Sequence, residues 1–185
     1  MKIKDAIGRT WQCSTVQCDF NLPERFDLSY KASGGEMKRP IMVHRAIFGS
    51  IERFFGILVE NCAGDFPLWL APTQLRLLPV TDAVMDYCHE VKAKAEKLGV
   101  RCEVDSGAER LPKQIRNAEQ KDKVPVMAIV GVKEMESGEL AARRKGIGDV
   151  GSFDVDDLLE KLRDAADGAR EFTEVGRVEV ADEEE

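Results

Sequence analysis

No stretch of this 185-residue chain approaches the roughly 20 consecutive apolar residues that a membrane-spanning helix needs. The opening Met1-Lys2-Ile3-Lys4-Asp5 holds neither an apolar signal core nor an Arg/Ser-rich transit stretch. Paired cysteines are also missing: Cys13, Cys18, Cys62, Cys88 and Cys102 are scattered with no CxxC. An odd number at irregular spacing argues against a disulfide framework and for a reducing compartment, with thiols serving as small buried hydrophobes. Histidine is scarce, and a lone imidazole is not by itself a metal site. Excess positive charge is absent too, since the net charge is −7. It is unevenly spread, +1 over residues 1–70, −3 over 71–172 and −5 over 173–185, so local basic clusters remain available to RNA. The hydrophobic share of 43% is too high for disorder and ordinary for a globular chain. These features lead us to expect a soluble, cytoplasmic protein with no membrane partner, in one large or two small domains.

The most informative stretch runs from His44 to Glu60. Ile41-Met42-Val43 reads as an apolar strand that delivers His44. Ile47, Ile51, Phe54, Phe55, Leu58 and Val59 then recur at the spacing of a helix with one buried face. Glu52-Arg53 falls near the helix start, where backbone N–H groups favour an anion and an arginine adds a fixed cation or a flat plane for a base. Spacing alone favours an amphipathic helix with a surface Glu-Arg pair.

Upstream, Trp11–Val16 alternates as a strand, with Gln12 and Gln17 of opposite parity. A bulge or strand end must intervene if both are to face one ligand. Such a polar strand can offer amide and hydroxyl groups to a small molecule, or simply edge a sheet in water. Residues 21–40 read as a loop, the strand Phe26–Tyr30, a turn at Ser33-Gly34-Gly35 and the strand ending at His44. Gly64, Pro67 and Pro72 break the pattern, and we place a domain boundary near Pro72. Beyond it come a near-continuous apolar strand (Gln74–Val80), a helix to Leu98, a strand (Val100–Asp105), a polar helix (Leu111–Lys123), a buried strand (Val124–Gly131), the strand Glu139–Lys145 and a helix from Ser152 or Asp154 to Ala166. This order predicts a small α/β domain. The charged tail Thr173–Glu185 reads as disordered.

Gly49-Ser50-Ile51-Glu52-Arg53 followed by an apolar helix resembles motif 3 of the class II aminoacyl-tRNA synthetases. Three further strings resemble the threonyl-tRNA synthetases in particular: Gly8-Arg9-Thr10-Trp11-Gln12-Cys13-Ser14-Thr15-Val16-Gln17, Arg39–Ala46 and Phe66–Pro72. The likeness runs from Lys4 to about Leu162. It implies an α/β (α+β) fold: part of an antiparallel class II catalytic sheet with the motif 3 helix over residues 1–71, then an anticodon-binding domain with a mixed five-stranded sheet over 72–170.

The resemblance also implies roles. Arg53 would act in catalysis by binding ATP, with Gln12 and Thr15 assisting and Mg2+ accompanying the nucleotide. Gln17 and His44 would hold threonine. His44 would be one of three zinc ligands, a Cys and two His; Cys13 and Cys18 are not at ligand positions and His89 falls in the second domain, so the Zn2+ site is expected to be incomplete in this chain. Glu136, Arg143, Arg144 and Lys145 would read the anticodon of tRNA(Thr), although three consecutive basic residues also suit a solvated face. A homodimer is expected for a full-length enzyme. The chain departs from the family pattern at Ala108, where an asparagine is usual, at Pro112 in place of glycine, and at Lys145, which lacks an arginine's bidentate fork. Motifs 1 and 2 and an editing domain find no match, so residues 1–185 alone are expected to be inactive. The alternative is a truncated paralogue or fragment that binds tRNA or a partner without chemistry.

Overall fold

The computed structural model describes residues 1–168; the tail expected to be disordered lies outside them. The chain divides into two compact units, Met1–Gly64 and a second beginning at Asp65. The division falls ahead of Pro72. Residues 65–73 pack with the second unit: Leu68 is buried in its core, Gln74 Nε2 donates to Leu68 O, and the Arg101 guanidinium donates to Ala71 O and Trp69 O.

The first unit is a set of two-stranded ribbons around one helix. β1 (Lys2–Lys4) pairs with β2 (Thr10–Gln12), and β3 (Thr15–Asp19) pairs with β6 (Met42–Ala46), both antiparallel. β4 (Tyr30–Lys31) and β5 (Met37–Lys38) form a short hairpin. The alternating run from Trp11 is therefore two strands. It breaks because the amides of Cys13 and Ser14 both donate to Met1 O while the Ser14 hydroxyl bonds Ile47 O. Residues expected as loop form a helix, α1 (Asn21–Arg25), because the Asp19 carboxylate accepts from the free amides of Asn21 and Leu22 and Pro23 fits a first turn. The helix α2 (Ile51–Cys62) starts at Ser50, whose hydroxyl accepts from Arg53 N. Its approach needs Gly49, which has φ +68°; an added Cβ would lie 3.1 Å from Cys13 O.

The second unit has a conventional apolar interior. Its sheet runs β11-β10-β9-β7-β8, with β7 (Leu75–Pro79) parallel to β8 (Cys102–Val104) and β9 (Val126–Val130), and β10 (Glu139–Arg144) and β11 (Gly148–Asp154) antiparallel. This is the mixed five-stranded sheet anticipated above. On one face Leu75, Leu77, Val126, Val130 and Leu140 meet α3 (Met85–Lys97) and α6 (Val155–Asp167). On the other, Leu78 and Met127 are covered by Leu111, Ile115 and Ala118 of α4 (Leu111–Arg116) and the wider π turn that follows it. A short helix α5 (Val132–Ser137) links β9 to β10. β11 and α5 escaped the sequence pattern. β11 is poor in strand formers, and Gly146 (φ +75°) makes the tight turn that leads into it. Among the described residues no helix is long and apolar enough to cross a membrane.

Cys88 and Cys102 are buried, and that burial pushes their thiols up to about 11 and about 12, so both act as inert packing groups. Leu158 is completely buried, whereas Val16 is 69% exposed. Urea unfolding should show Leu158→Ala destabilising the second unit by about 2–5 kcal/mol, and Val16→Thr changing stability by less than about 0.5 kcal/mol.

Candidate functional site

Thr15, Gln17 and Asp19 alternate along β3 and so share one face. Cross-strand pairing sets Gln17 opposite His44 and Thr15 opposite Ala46. Three of the expected ligand-binding residues, Thr15, Gln17 and His44, thus lie on one face of a single ribbon, and all three are exposed to solvent. Gln12 ends β2 in the separate β1–β2 ribbon, so a strand end does intervene between it and Gln17.

Asp19 joins this face without having been singled out from the sequence. Its Oδ2 lies 3.1 Å from His44 Nε2, and its Oδ1 accepts from Asn21 N and Leu22 N. The Leu22 amide, with the His44 ring and the Asn21 amide, holds the carboxyl below the usual carboxylate range. The signal was available in its parity with Thr15 and Gln17 and in the Asp-Phe-Asn-Leu-Pro start of α1. A cleft of about 740 Å³ opens beside it, lined by Gln17, Asp19, Leu22 and Arg25 among others.

A zinc site needs three protein ligands with one position left open, or four. Among the described residues no three His, Cys, Asp or Glu side chains converge, and His44 Nε2 is already met by Asp19. The residues present do not make a zinc site by themselves, and we derive no step through the metal.

Arg53 occupies the third position of α2, where the helix dipole disfavours a cation. Glu52 compensates; its own amide and the Ser50 hydroxyl hold its carboxyl below the ordinary value. The Arg53 guanidinium lies over the Trp11 ring, 4.9 Å from its centroid, with no carboxylate partner among the described residues. Its N–H fork is therefore free for an incoming anion or base. Trp11 in turn is held by Asp5, whose Oδ2 accepts from Trp11 Nε1 at 2.9 Å and from Arg9 Nε at 2.6 Å. Neither Asp5 nor Trp11 stood out as functional from the sequence.

In the second unit the expected anticodon residues do not form one cluster. Glu136 is exposed on α5, at the β9 end of β10, while Arg143, Arg144 and Lys145 lie at the opposite end of that strand. The Glu139–Arg143 stretch between them spans about 13 Å at the usual rise, the reach of several nucleotides rather than one base. Arg143 is half-buried, and its Nε has no hydrogen-bond partner among the described residues. Lys145 is tied to Asp65 and its amide donates to Pro125 O, so its charge is committed within the fold.

Comparison with known proteins bears on both units. Residues 1–62 match the family described as "tRNA synthetase class II core domain (G, H, P, S and T)", and residues 74–165 match "Anticodon binding domain". The chain is 55% identical over 167 residues to "Threonine--tRNA ligase, chloroplastic/mitochondrial 2" of Arabidopsis thaliana, covering 90% of this chain and 25% of that protein. It is 56% identical over 162 residues to the threonine–tRNA ligase of Synechococcus elongatus, covering 88% and 27% respectively. The chain thus spans about a quarter of the length of the curated relatives it matches. Among solved structures, the RNA binding domain of threonyl-tRNA synthetase from Cryptosporidium parvum superposes with a TM-score of 0.79 at 29% identity, over 92% of this chain and 42% of that one. A putative threonyl-tRNA synthetase from Aeropyrum pernix gives 0.58 at 28% identity, over 91% and 40%.

The Asp5 carboxyl is held at about 2 rather than 3.8, chiefly by the Trp11 indole N–H, with Arg9 contributing, against the opposing effect of burial. A lowered folded-state value means a stabilising contribution that is complete above about 3.8 and lost as pH falls through about 2. Urea midpoints of the wild type and Asp5→Asn should therefore differ at near-neutral pH and converge as acid titrates the wild-type carboxylate.

Proposed function

We propose, for a chain that belongs to the class II aminoacyl-tRNA synthetases and joins a segment of their core domain to an anticodon-binding domain, that it serves threonine–tRNA ligation. In this reading the first unit contributes part of the site for ATP and threonine, and the second holds the anticodon arm of tRNA(Thr). The observation that carries it is the open Arg53 guanidinium, set against the helix dipole within the segment matched by the class II core family. A residue that breaks a local rule while keeping its donors free is better explained by a ligand than by stability.

Arg53 would take the adenine plane or a terminal phosphate, with Gln12 and Thr15 assisting. Gln17 and His44 would meet threonine on the shared ribbon face. Adenylate formation develops charge on phosphorus oxygens, so these groups would act by positioning and electrostatic stabilisation. ATP enters as a substrate, with Mg2+ expected at its phosphates. Unpaired anticodon bases are read on their edges by charged and polar side chains, a role that suits Glu136, Arg143 and Arg144. Lys145 would support the fold through Asp65 more than it touches RNA.

A second reading, a truncated paralogue that binds tRNA or a partner without chemistry, is favoured by Ala108, whose departure from the family pattern is a sign of relaxed constraint on anticodon reading. Two measurements on the purified chain decide between them. Filter binding should show tRNA(Thr) held with a salt-dependent affinity. Arg143→Ala should weaken it about tenfold or more, whereas Lys145→Ala should change it by less than about threefold. Threonine-dependent ATP–pyrophosphate exchange should be absent from the chain alone and appear when the remainder of a threonyl-type core is supplied, in an Arg53-dependent manner. Exchange that never depends on Arg53 would sink the assignment of that residue.

A further inference from the structure

The Asp5 carboxylate is sealed from water, with its side chain 1% exposed, yet the function above gives it no task. It accepts four hydrogen bonds: from Ile7 N (3.1 Å), Arg9 N (2.8 Å), Arg9 Nε (2.6 Å) and Trp11 Nε1 (2.9 Å). We propose that Asp5 is the positioning residue for the Arg53 guanidinium, acting through the indole of Trp11. The proposal rests on the reading of Arg53 as a nucleotide-binding group, and it adds the device that aims that group.

The argument starts from the arginine. An exposed guanidinium on a flexible stem samples many rotamers, and ordering it on binding costs affinity. Here its plane is held 4.9 Å from the Trp11 ring centroid, within cation–π range. An indole can orient a neighbour only if it is itself fixed. Trp11 sits on β2, a three-residue strand in a ribbon of only two, which is weak support. The fixed point is the Asp5 carboxylate, locked by the amides of its own turn and by the Arg9 guanidinium.

Charge is divided to suit. Arg9 also approaches Trp11, at 5.4 Å, but it is neutralised by Asp5. Arg53 remains the cation on that ring with no carboxylate beside it among the described residues. The N-terminus of α2 is independently registered to the same strand connection, since Gly49 packs against Cys13 O and Gln12 O. Two separate contacts therefore bring Arg53 and Trp11 together, which is the arrangement expected of a preorganised binding group.

The test uses the full chain with isotopic nitrogen labelling. The arginine Nε–H resonance that vanishes in Arg53→Lys belongs to Arg53, and the Trp11 ring current should displace it in the wild type. Asp5→Asn should return that resonance more than about half-way to the free-arginine position and weaken ATP binding about three- to fivefold. Arg9→Lys, which leaves the Asp5–Trp11 bond intact, should move it little. Should Asp5→Asn fail to fold, Trp11→Phe serves instead, because it keeps a ring but removes the N–H that Asp5 holds. A merely structural role would lower the melting temperature and leave the Arg53 resonance in place, and that result overturns the proposal. If ATP leaves the wild-type Arg53 resonance unmoved, the nucleotide reading fails, while the dependence of that resonance on Asp5 in the free chain still decides the positioning role.

Discussion

Burial of one carboxylate governs the first unit in the way that burial of leucines governs the second. Among the described residues of the first unit, only Asp5, Cys13, Pro23 and Ile57 are buried. With so little apolar surface removed from water, the hydrophobic term that usually fixes a fold is small. Order there comes from polar contacts of definite geometry: the Asp5 bonds, the Asp19 cap on α1, the Ser50 cap on α2 and the close approach at Gly49. The second unit works conversely. Its strands bury apolar side chains on both faces, and most of its polar contacts ornament the surface.

This contrast suits the two roles proposed above. Groups that must grip and release a small ligand benefit from exact direction more than from depth, and directed hydrogen bonds provide direction. A surface that reads RNA must hold several side chains at fixed separations along a rigid edge, and a five-stranded sheet backed by α3 and α6 provides rigidity. The overall acidity of the chain does not oppose this, because screening confines the field of exposed charges to about 10 Å at moderate salt. For the proposed contact with RNA, what matters at β10 is the local pair Arg143 and Arg144.

Much of the second unit was legible because its message is written in period. Gln74–Val80 and Val124–Gly131 are near-continuous apolar runs, and both are buried strands of the parallel core. The start of α6 was narrowed to Ser152 or Asp154, and the structure places the cap at Asp154. β11 was not located because Gly148, Gly151 and Ser152 carry no apolar signal; it is held by its ladder to β10. In the first unit the spacing located the helix but not its burial: Ile47 precedes Ile51–Cys62, Ile51 and Phe55 are exposed, and the buried residue is Ile57. The resemblance supplied Gln12, Thr15, Gln17, His44 and Arg53 as candidates. The break at Cys13-Ser14 and the partnership of Asp5 with Trp11 were not legible, because both depend on contacts between residues whose types are individually unremarkable. Asp19 shows the same limit, as its pairing with His44 appears only once β3 and β6 are in register.

Asp154 is at once the last residue of β11 and the cap of α6. Its backbone pairs opposite Glu139, while its carboxylate accepts from the amides of Asp156 and Asp157. No residue is left over between strand and helix to serve as a hinge. Fraying of the edge strand and unwinding of the first turn of α6 are therefore one cooperative opening rather than two, and amides in both segments should share a common protection against solvent exchange. The strand β10 that carries the arginines is flanked by this edge strand, which is in this way shielded from the independent loosening that edge strands usually undergo.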